Sequence, residues 1–122
     1  MNQSILESTK KNLGVAPEYQ AFDLDIITYI NAALSTLEQL GVGPVGGFSI
    51  QDETAEWGDL LGGDPRLNNV PTYVFLRAKL LFDPPATSFH LTAIEKQIEQ
   101  MEWRLSVLTD PDRIVTVADI EL

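Results

Sequence analysis

Residues 23–41 read DLDIITYINAALSTLEQLG and carry the clearest helix signal in the first half of the chain. Their apolar residues recur at steps of one, three or four, which places them on one wide face of an α-helix. Asp23 is positioned to cap this helix or to enter its first turn, where the amide dipoles favour an acid. Gly41 and the pair Gly43-Pro44 then end it. The predicted core face comprises Ile26, Ile27, Ile30, Ala33, Leu34, Leu37 and Leu40.

Further helices are predicted on both sides of this stretch. A first helix covers about residues 3–13 and ends at Gly14, and the acidic stretch 52–61 is expected to form a short helix with one apolar side. A third long helix ends at Phe82 and is apolar almost all round, so it is either buried centrally or covered by another chain. Its two cations, Arg77 and Lys79, are expected to form structural ion pairs.

The last helix is predicted from about residue 88 to residue 108. Its apolar residues recur at steps of three and four and form a seam that packs against the helices over 23–41 and 70–82. The predicted fold is an all-α, small four- to five-helix bundle with a long loop over 43–50 and an extended C-terminal arm. The predicted division is a helical domain over 1–108 and an arm over 109–122. The seam consists of Leu91, Ile94, Ile98, Met101, Leu105 and Leu108.

Composition narrows the possible functions. The 122 residues suffice for one domain, and 44% apolar with 21% charged residues is ordinary globular usage. The absence of cysteine excludes disulfides and thiolate chemistry, and a net charge of −10 argues against an autonomous nucleic-acid binder. No apolar run is long enough for a membrane span, and the first residues lack a signal-peptide pattern, so a soluble cytoplasmic protein, or one released by lysis, is expected.

The acidic residues are unevenly placed. Between Asn12 and Pro65 there is no lysine or arginine but there are nine acids. Such a stretch indicates a solvated acidic surface, a surface that must not hold a polyanion, or both. The acids are Glu18, Asp23, Asp25, Glu38, Asp52, Glu53, Glu56, Asp59 and Asp64.

No pattern in the chain predicts an enzyme. The single histidine, His90, does not share a helix face with Glu95, so no metal or acid–base pair is indicated. The glycines at 41, 43 and 46 have dinucleotide-loop spacing, but they follow a helix, and Pro44 has no amide hydrogen for a phosphate. We therefore expect no catalytic residues, no metal and no cofactor.

Surplus apolar side chains instead suggest assembly with other chains. Trp57, Phe82 and Trp103 are candidates for burial between subunits, because a monomer that exposed them all would carry an unusually large apolar patch. Trp103 lies opposite the seam of the last helix, so it is either an exposed aromatic residue or an interface anchor. The β-branched stretch with Ile114, Val115 and Val117 is either a frayed terminus or an arm that lies on a neighbouring subunit or partner.

Several segments resemble the small head–tail connector (adaptor) proteins of long-tailed double-stranded DNA bacteriophages. In the first half these are SILESTKKNLG at 4–14, DLDII at 23–27 and LEQLGVGP at 37–44. In the second half they are WGDLL at 57–61, YVFLRAKLLFDPP at 73–85 and IEKQIEQMEWRL at 94–105. FDPP at 82–85 together with EWRL at 102–105 is the most distinctive pair. The likeness covers about residues 4–107.

This resemblance implies a virion protein of the head–tail neck that is made in the host cytoplasm. Copies would form a ring, about twelvefold to match the portal. The ring would bind beneath the portal and carry the stopper or tail-completion protein, and genomic DNA would pass through it without specific binding. The resemblance transfers no catalytic residues. As a mechanism, we expect Asp52, Glu53, Glu56 and Asp59 to line the channel, where negative walls repel DNA phosphates.

Two other functions compete with this interpretation. One is a cytoplasmic helical adaptor or regulatory domain unrelated to virions. The other is a different phage morphogenesis part of similar size, such as a tail-completion protein. Copies in purified particles would distinguish a virion component from a regulator.

Overall fold

Five α-helices account for most of residues 3–109, which are the residues that the computed structural model describes. No sheet forms within this range, and the predicted all-α class is confirmed. The predicted arm at 110–122 lies outside the described residues. The helices are α1 (Ile5–Leu13), α2 (Asp23–Gln39), α3 (Trp57–Leu61), α4 (Val70–Phe82) and α5 (Ser88–Thr109), with a 3-10 turn at Pro65–Leu67 before α4.

Helix α4 is the centre of the bundle, because it packs against α1, α2 and α5. Val70, Tyr73, Val74 and Ala78 have no exposed surface. Central burial therefore accounts for most of this almost wholly apolar helix, while Leu81 near its end is 55% exposed. Pro71 lies in its first turn, where a missing amide hydrogen breaks no helical hydrogen bond.

Helix α2 places five of its seven predicted core residues in the interior, while Ile27 and Leu40 are partly buried at its edge. Phe22 is the N-cap residue, so Asp23 enters the first turn rather than capping it. Gly41 follows the helix with a φ of +86°, a conformation that side chains strongly disfavour. A Cβ atom at this position would also lie 3.1 Å from the Thr109 Oγ1 atom, so the glycine allows α5 to approach closely.

Helix α5 covers α4 with one face only. Ile98 and Leu105 are buried, and the rest of the predicted seam is partly buried. The Thr109 hydroxyl donates hydrogen bonds to the carbonyl oxygens of Leu40 and Leu105. Thr109 is the last residue of α5, one residue beyond the helix end expected at about 108. The opposite face of α5 is open to solvent.

One side chain of α2 binds the long loop between α2 and α3 near its middle. Asn31 on α2 accepts a hydrogen bond from the Ile50 N–H at 2.8 Å and donates one to the Ile50 carbonyl oxygen at 3.0 Å. Ile50 and Val42 are buried at 2% and 4% exposure, so the loop contributes to the core. The acidic segment that follows is bound to the start of α1, where the Ile5 N–H donates to the Ala55 carbonyl oxygen and the Trp57 N–H to that of Gln3. Only residues 57–61 of the helix expected over 52–61 are helical, because the Asp52 carboxylate instead accepts the Thr54 N–H in a turn.

Candidate assembly surfaces

The sequence makes Trp57 a candidate for burial between subunits, but its own chain already buries it. The side chain is 3% exposed, and its Nε1–H donates a hydrogen bond of 2.8 Å to Ser8 Oγ on α1. Leu60 and Leu61, on the same short helix, are also buried. The expectation of Trp57 as an interchain anchor is therefore corrected: α3 is too short to be stable alone and uses this side chain to pack on α1.

Trp103 lies on the outward face of α5 and is 62% exposed. Phe89, at the start of the same helix, is 78% exposed. Trp103 follows Phe89 by 14 positions, or about four helical turns, which places the two side chains on one face roughly 21 Å apart along the helix. We call this face, with Phe89 and Trp103 at its ends, the outer α5 face. The sequence spacing could have identified Phe89, but only the burial of the opposite seam shows that this side is free.

Phe82 belongs to a second aromatic surface. Its ring packs edge-to-face on Phe22 at 5.2 Å, and Phe22 packs in the same way on Tyr19 at 5.5 Å. Phe82 is partly buried, whereas Phe22 and Tyr19 are 40% and 50% exposed. We call these three residues the aromatic trio. Composition did not point to Phe22 or Tyr19, because the trio forms only when the ends of α2 and α4 meet.

A buried lysine fixes the segment that carries the trio. Lys10 is 1% exposed, and its ammonium donates hydrogen bonds to the carbonyl oxygens of Pro17 (2.9 Å) and Tyr19 (2.8 Å). It also forms an ion pair with Asp23 Oδ1 at 2.6 Å. Among residues 3–109, that buried carboxylate oxygen has no other partner. One ammonium group therefore joins α1 to the α1–α2 connection and to the first turn of α2.

A polar cluster joins three helices on the other side of α4. The Tyr73 hydroxyl donates a 2.7 Å hydrogen bond to Glu102 Oε2 and accepts one of 2.7 Å from Arg77 Nη1. Arg77 also pairs with Glu102 at 3.3 Å and donates to Thr36 Oγ1 on α2 at 3.2 Å. Arg77 and Lys79, which pairs with Asp83, thus form the predicted ion pairs. The cluster links the 73–85 and 94–105 segments quoted for the resemblance.

The polar cluster around Tyr73 predicts that the free energy of unfolding falls at alkaline pH. Burial, and then the hydrogen bond to Glu102, raise the pKa of Tyr73 above its ordinary value of 10.0. The folded state therefore binds this proton more tightly than the unfolded state, so the stabilisation is complete below pH 10 and falls as the pH rises further. Tyr73→Phe is expected to cost about 1 kcal/mol at neutral pH and to flatten the alkaline decline.

Urea unfolding at neutral pH and above the ordinary tyrosine pKa measures both effects. Tyr19→Phe makes the same chemical change at an exposed position and serves as the control. An equal alkaline decline in the wild type and Tyr73→Phe would contradict this role of the buried hydroxyl.

Three of the four predicted channel residues lie on the segment that leads into α3, and the fourth, Asp59, lies within that helix. Asp52, Glu53 and Asp59 are exposed, and Glu56 is partly buried. Hydrogen bonds from the side chain and backbone of Thr54 lower the pKa of Asp52, which keeps this carboxylate charged. Asp59 Oδ2 accepts a 2.9 Å hydrogen bond from the Glu56 N–H and so caps α3. Asp52 and Glu53 are the two acids that can be changed without touching this cap.

Residues 3–109 bring no three histidine, aspartate or glutamate side chains together in a way that could hold a metal ion. Across the same residues, no helix combines the length and the apolarity that spanning a membrane requires. The exposed aromatic side chains and the acidic segment are thus the surface features that an account of function must explain.

Comparison with known proteins supports an assembly role. The sequence model of a family described as "Phage connector protein" matches residues 5–112, which include all five helices. No curated protein and no solved structure matches the chain. The match covers most of the 122 residues and agrees with the resemblance described above. This chain belongs to the phage connector protein family.

Proposed function

We propose that copies of this protein form a ring beneath the portal of the phage head and link the DNA-filled head to the stopper and tail. Membership of the connector family supports a structural role in the virion. The observation that carries the ring is the presence of two aromatic surfaces on different elements, the outer α5 face and the aromatic trio. Heterologous contacts, which build closed rings, need two different surfaces on each subunit.

In this proposal the portal and a stopper or tail-completion protein are the partners above and below the ring. The ring is proposed to contain about twelve copies, so that its symmetry matches that of the portal to which it binds. The protein acts by binding and positioning, not by catalysis. It is assembled in the host cytoplasm and remains in the neck of the virion.

The acidic segment gives the ring a second property. Asp52 and Glu53 are exposed beside a loop that Asn31 anchors, so they form a fixed negative surface. We place this surface on the channel wall, where it repels DNA phosphates and lets the genome pass without adhering. The base-free stretch between Asn12 and Pro65 supports this placement, because no cation there offers a phosphate contact.

Cryo-electron microscopy of the neck in intact particles tests the proposed position. The expected result is a ring of this chain in contact with the portal, with residues 52–59 facing the channel. A chain found only at the tail end of the neck would favour the tail-completion function. Particles without any copies would refute a virion role, and acids confined to the outer rim would refute the channel wall.

A charge reversal tests the channel wall in solution. Particles that carry Asp52→Lys with Glu53→Lys are expected to release DNA about tenfold more slowly at low salt, with the difference shrinking as salt rises. The matched control is Glu95→Lys with Glu99→Lys, which makes the same charge change at exposed positions on α5. If both double variants slowed DNA release equally, the proposed position of the acidic segment on the channel wall would be contradicted. A time course of DNA release from purified particles provides the measurement.

A further inference from the structure

A small cavity at the C-terminal end of α5 differs in charge from the rest of the molecule. It has a volume of about 240 Å³ and lies between the start of α4 and the last turns of α5. Three apolar side chains line it, together with two arginines and one amide. We call it the arginine groove; its residues are Arg66, Asn69, Met101, Arg104, Leu105 and Leu108.

The arginine groove has no acidic residue in its lining, although the chain carries a net charge of −10. Four other concave sites on the described surface each contain at least one carboxylate. Arg104 has no carboxylate partner within residues 3–109, whereas Arg66 pairs with Asp64 at 3.0 Å. The groove therefore offers one unpaired guanidinium group and one shared guanidinium group above an apolar floor.

The aromatic trio combines exposed rings with the opposite charge. Glu18 directly precedes Tyr19, and Asp25 lies about one helical turn after Phe22, so each of these rings has a carboxylate beside it. Both acids are exposed, and no cation of residues 3–109 forms an ion pair with either. The trio therefore presents apolar rings together with two unpaired carboxylates.

The two surfaces match in chemistry as well as in charge. A guanidinium group stacks on aromatic faces and binds carboxylates through parallel hydrogen bonds, and the sulfur of a methionine packs favourably against ring edges. The groove can therefore bind the rings on its floor and the acids on its arginines. A phosphate group or a nucleic-acid backbone would leave the apolar floor uncovered.

Other acidic surfaces of the described chain fit the groove less well. Asp52 and Glu53 lie between polar residues and bring no exposed ring to the apolar floor. Glu99 lies one turn from the exposed Trp103, but Lys96 on the same face of α5 would be repelled by the two arginines. Charge and apolar surface together thus favour the trio as the occupant.

The positions of the two surfaces require a second copy of the chain. Asn69 is the N-cap residue of α4, and Phe82 is the last residue of the same helix. Their 13 positions of separation correspond to roughly 20 Å along the helix axis, so the trio and the groove lie at opposite ends of α4. The trio of one chain therefore does not reach the groove of that chain.

We propose that the aromatic trio of one subunit binds in the arginine groove of the next subunit. Each chain then contributes its trio to one neighbour and its groove to the other, which is a heterologous contact. Arg104 directly follows Trp103, so this contact borders the outer α5 face. The inference rests on the proposed ring and names the two surfaces that join its subunits.

Disulfide trapping between two full-length variants tests this contact, since the natural sequence contains no cysteine. Chains with Gln20→Cys, beside the trio, are mixed with chains carrying Asn69→Cys, in the groove, together with purified portal and a mild oxidant. The expected product is a covalent dimer with one chain of each kind, identified by mass. In the matched control, Thr28→Cys replaces Asn69→Cys at an exposed position outside the groove, and trapping should be at least about tenfold slower.

A charge swap gives the second arm of the test. Glu18→Arg with Asp25→Arg in the Gln20→Cys chain is expected to slow trapping about tenfold, because two ion pairs are lost. Arg66→Glu with Arg104→Glu in the Asn69→Cys chain should have the same effect. A mixture of the two reversed chains should trap at close to the original rate, because opposite charges meet again.

Two further variants control the charge swap. Glu38→Arg with Glu53→Arg makes the same change of charge at exposed positions away from the trio and should leave the trapping rate unchanged. Circular dichroism verifies that each variant is folded. If the loss of the Arg66–Asp64 ion pair unfolds the groove variant, Arg104→Glu alone replaces it and should slow trapping about threefold.

Three outcomes would overturn the proposed contact. These are equal trapping at positions 69 and 28, disulfides mainly between identical chains, and folded reversed chains whose mixture traps as slowly as either one alone. Sedimentation of the wild-type chain with portal separates these results from the proposed function. A chain that binds portal without the expected disulfide keeps the ring but joins it through other surfaces, whereas a chain that does not bind portal contradicts the ring beneath the portal.

Discussion

Lys10→Met is expected to lower the free energy of unfolding by about 3 kcal/mol, because it leaves a buried carboxylate without its cation. The lysine is 1% exposed and holds two carbonyl oxygens in addition to Asp23. Removal of one member of a buried pair typically costs 3–5 kcal/mol. The lower end applies here because the Asp23 side chain is 26% exposed and retains some water.

The adjacent lysine offers a matched control. Lys11 is exposed, so Lys11→Met removes the same charge from the same helix with an expected change within about 0.5 kcal/mol. The double variant Lys10→Met with Asp23→Leu should recover part of the loss, since it removes the unpaired carboxylate as well. Urea denaturation followed by circular dichroism measures all three. Equal midpoints for the two lysine variants would show that the buried ammonium group contributes nothing.

Trp103→Ala is expected to leave the isolated subunit folded but to weaken ring formation. The side chain is 62% exposed, so the free energy of unfolding should change by less than about 0.5 kcal/mol. If Trp103 anchors a contact between subunits, truncation should cost about 2 kcal/mol per contact, or roughly 30-fold in affinity. A closed ring contains one such contact for each subunit, so the loss accumulates over the whole assembly.

Trp57 serves as the buried comparison for the exposed Trp103. Trp57→Ala removes a 3% exposed side chain from the core and should lower the free energy of unfolding by about 3–5 kcal/mol. Circular dichroism monitors folding, and sedimentation with purified portal monitors assembly. Unfolding of Trp103→Ala would place this residue in the core. If folded Trp103→Ala formed rings normally, Trp103 would not be an anchor of the contact between subunits.

The aromatic and acidic surfaces could be predicted only in part. Trp103 was placed opposite the buried seam of its helix from spacing alone, because helical periodicity is a local property. Trp57 was misassigned, because the contact that buries it comes from Ser8, 49 residues away in sequence. Phe22 and Phe82 meet through a similar long-range contact. Periodicity shows which face of a helix is apolar, but it does not show which other element covers that face.

The sequence by itself determined the number of helices and where they end, although not that α3 begins only at Trp57. Gly14, Gly41 and Pro71 affect helix ends through their own backbone conformation. The apolar periodicity of α2 can be recognised without knowing which element packs against it. Family membership also follows from the sequence, since residues 5–112 match the connector family. These features depend on residues that are neighbours in the chain.

Only the tertiary structure decided which side chains form contacts between elements that are distant in the sequence. Lys10 binds the α1–α2 connection and Asp23, and Asn31 holds the loop at Ile50. Tyr73 and Arg77 on α4 both bind Glu102 on α5. The physical reason is that a buried polar group must find its partner in space, and the packing of the helices on α4 determines which groups come within hydrogen-bonding distance.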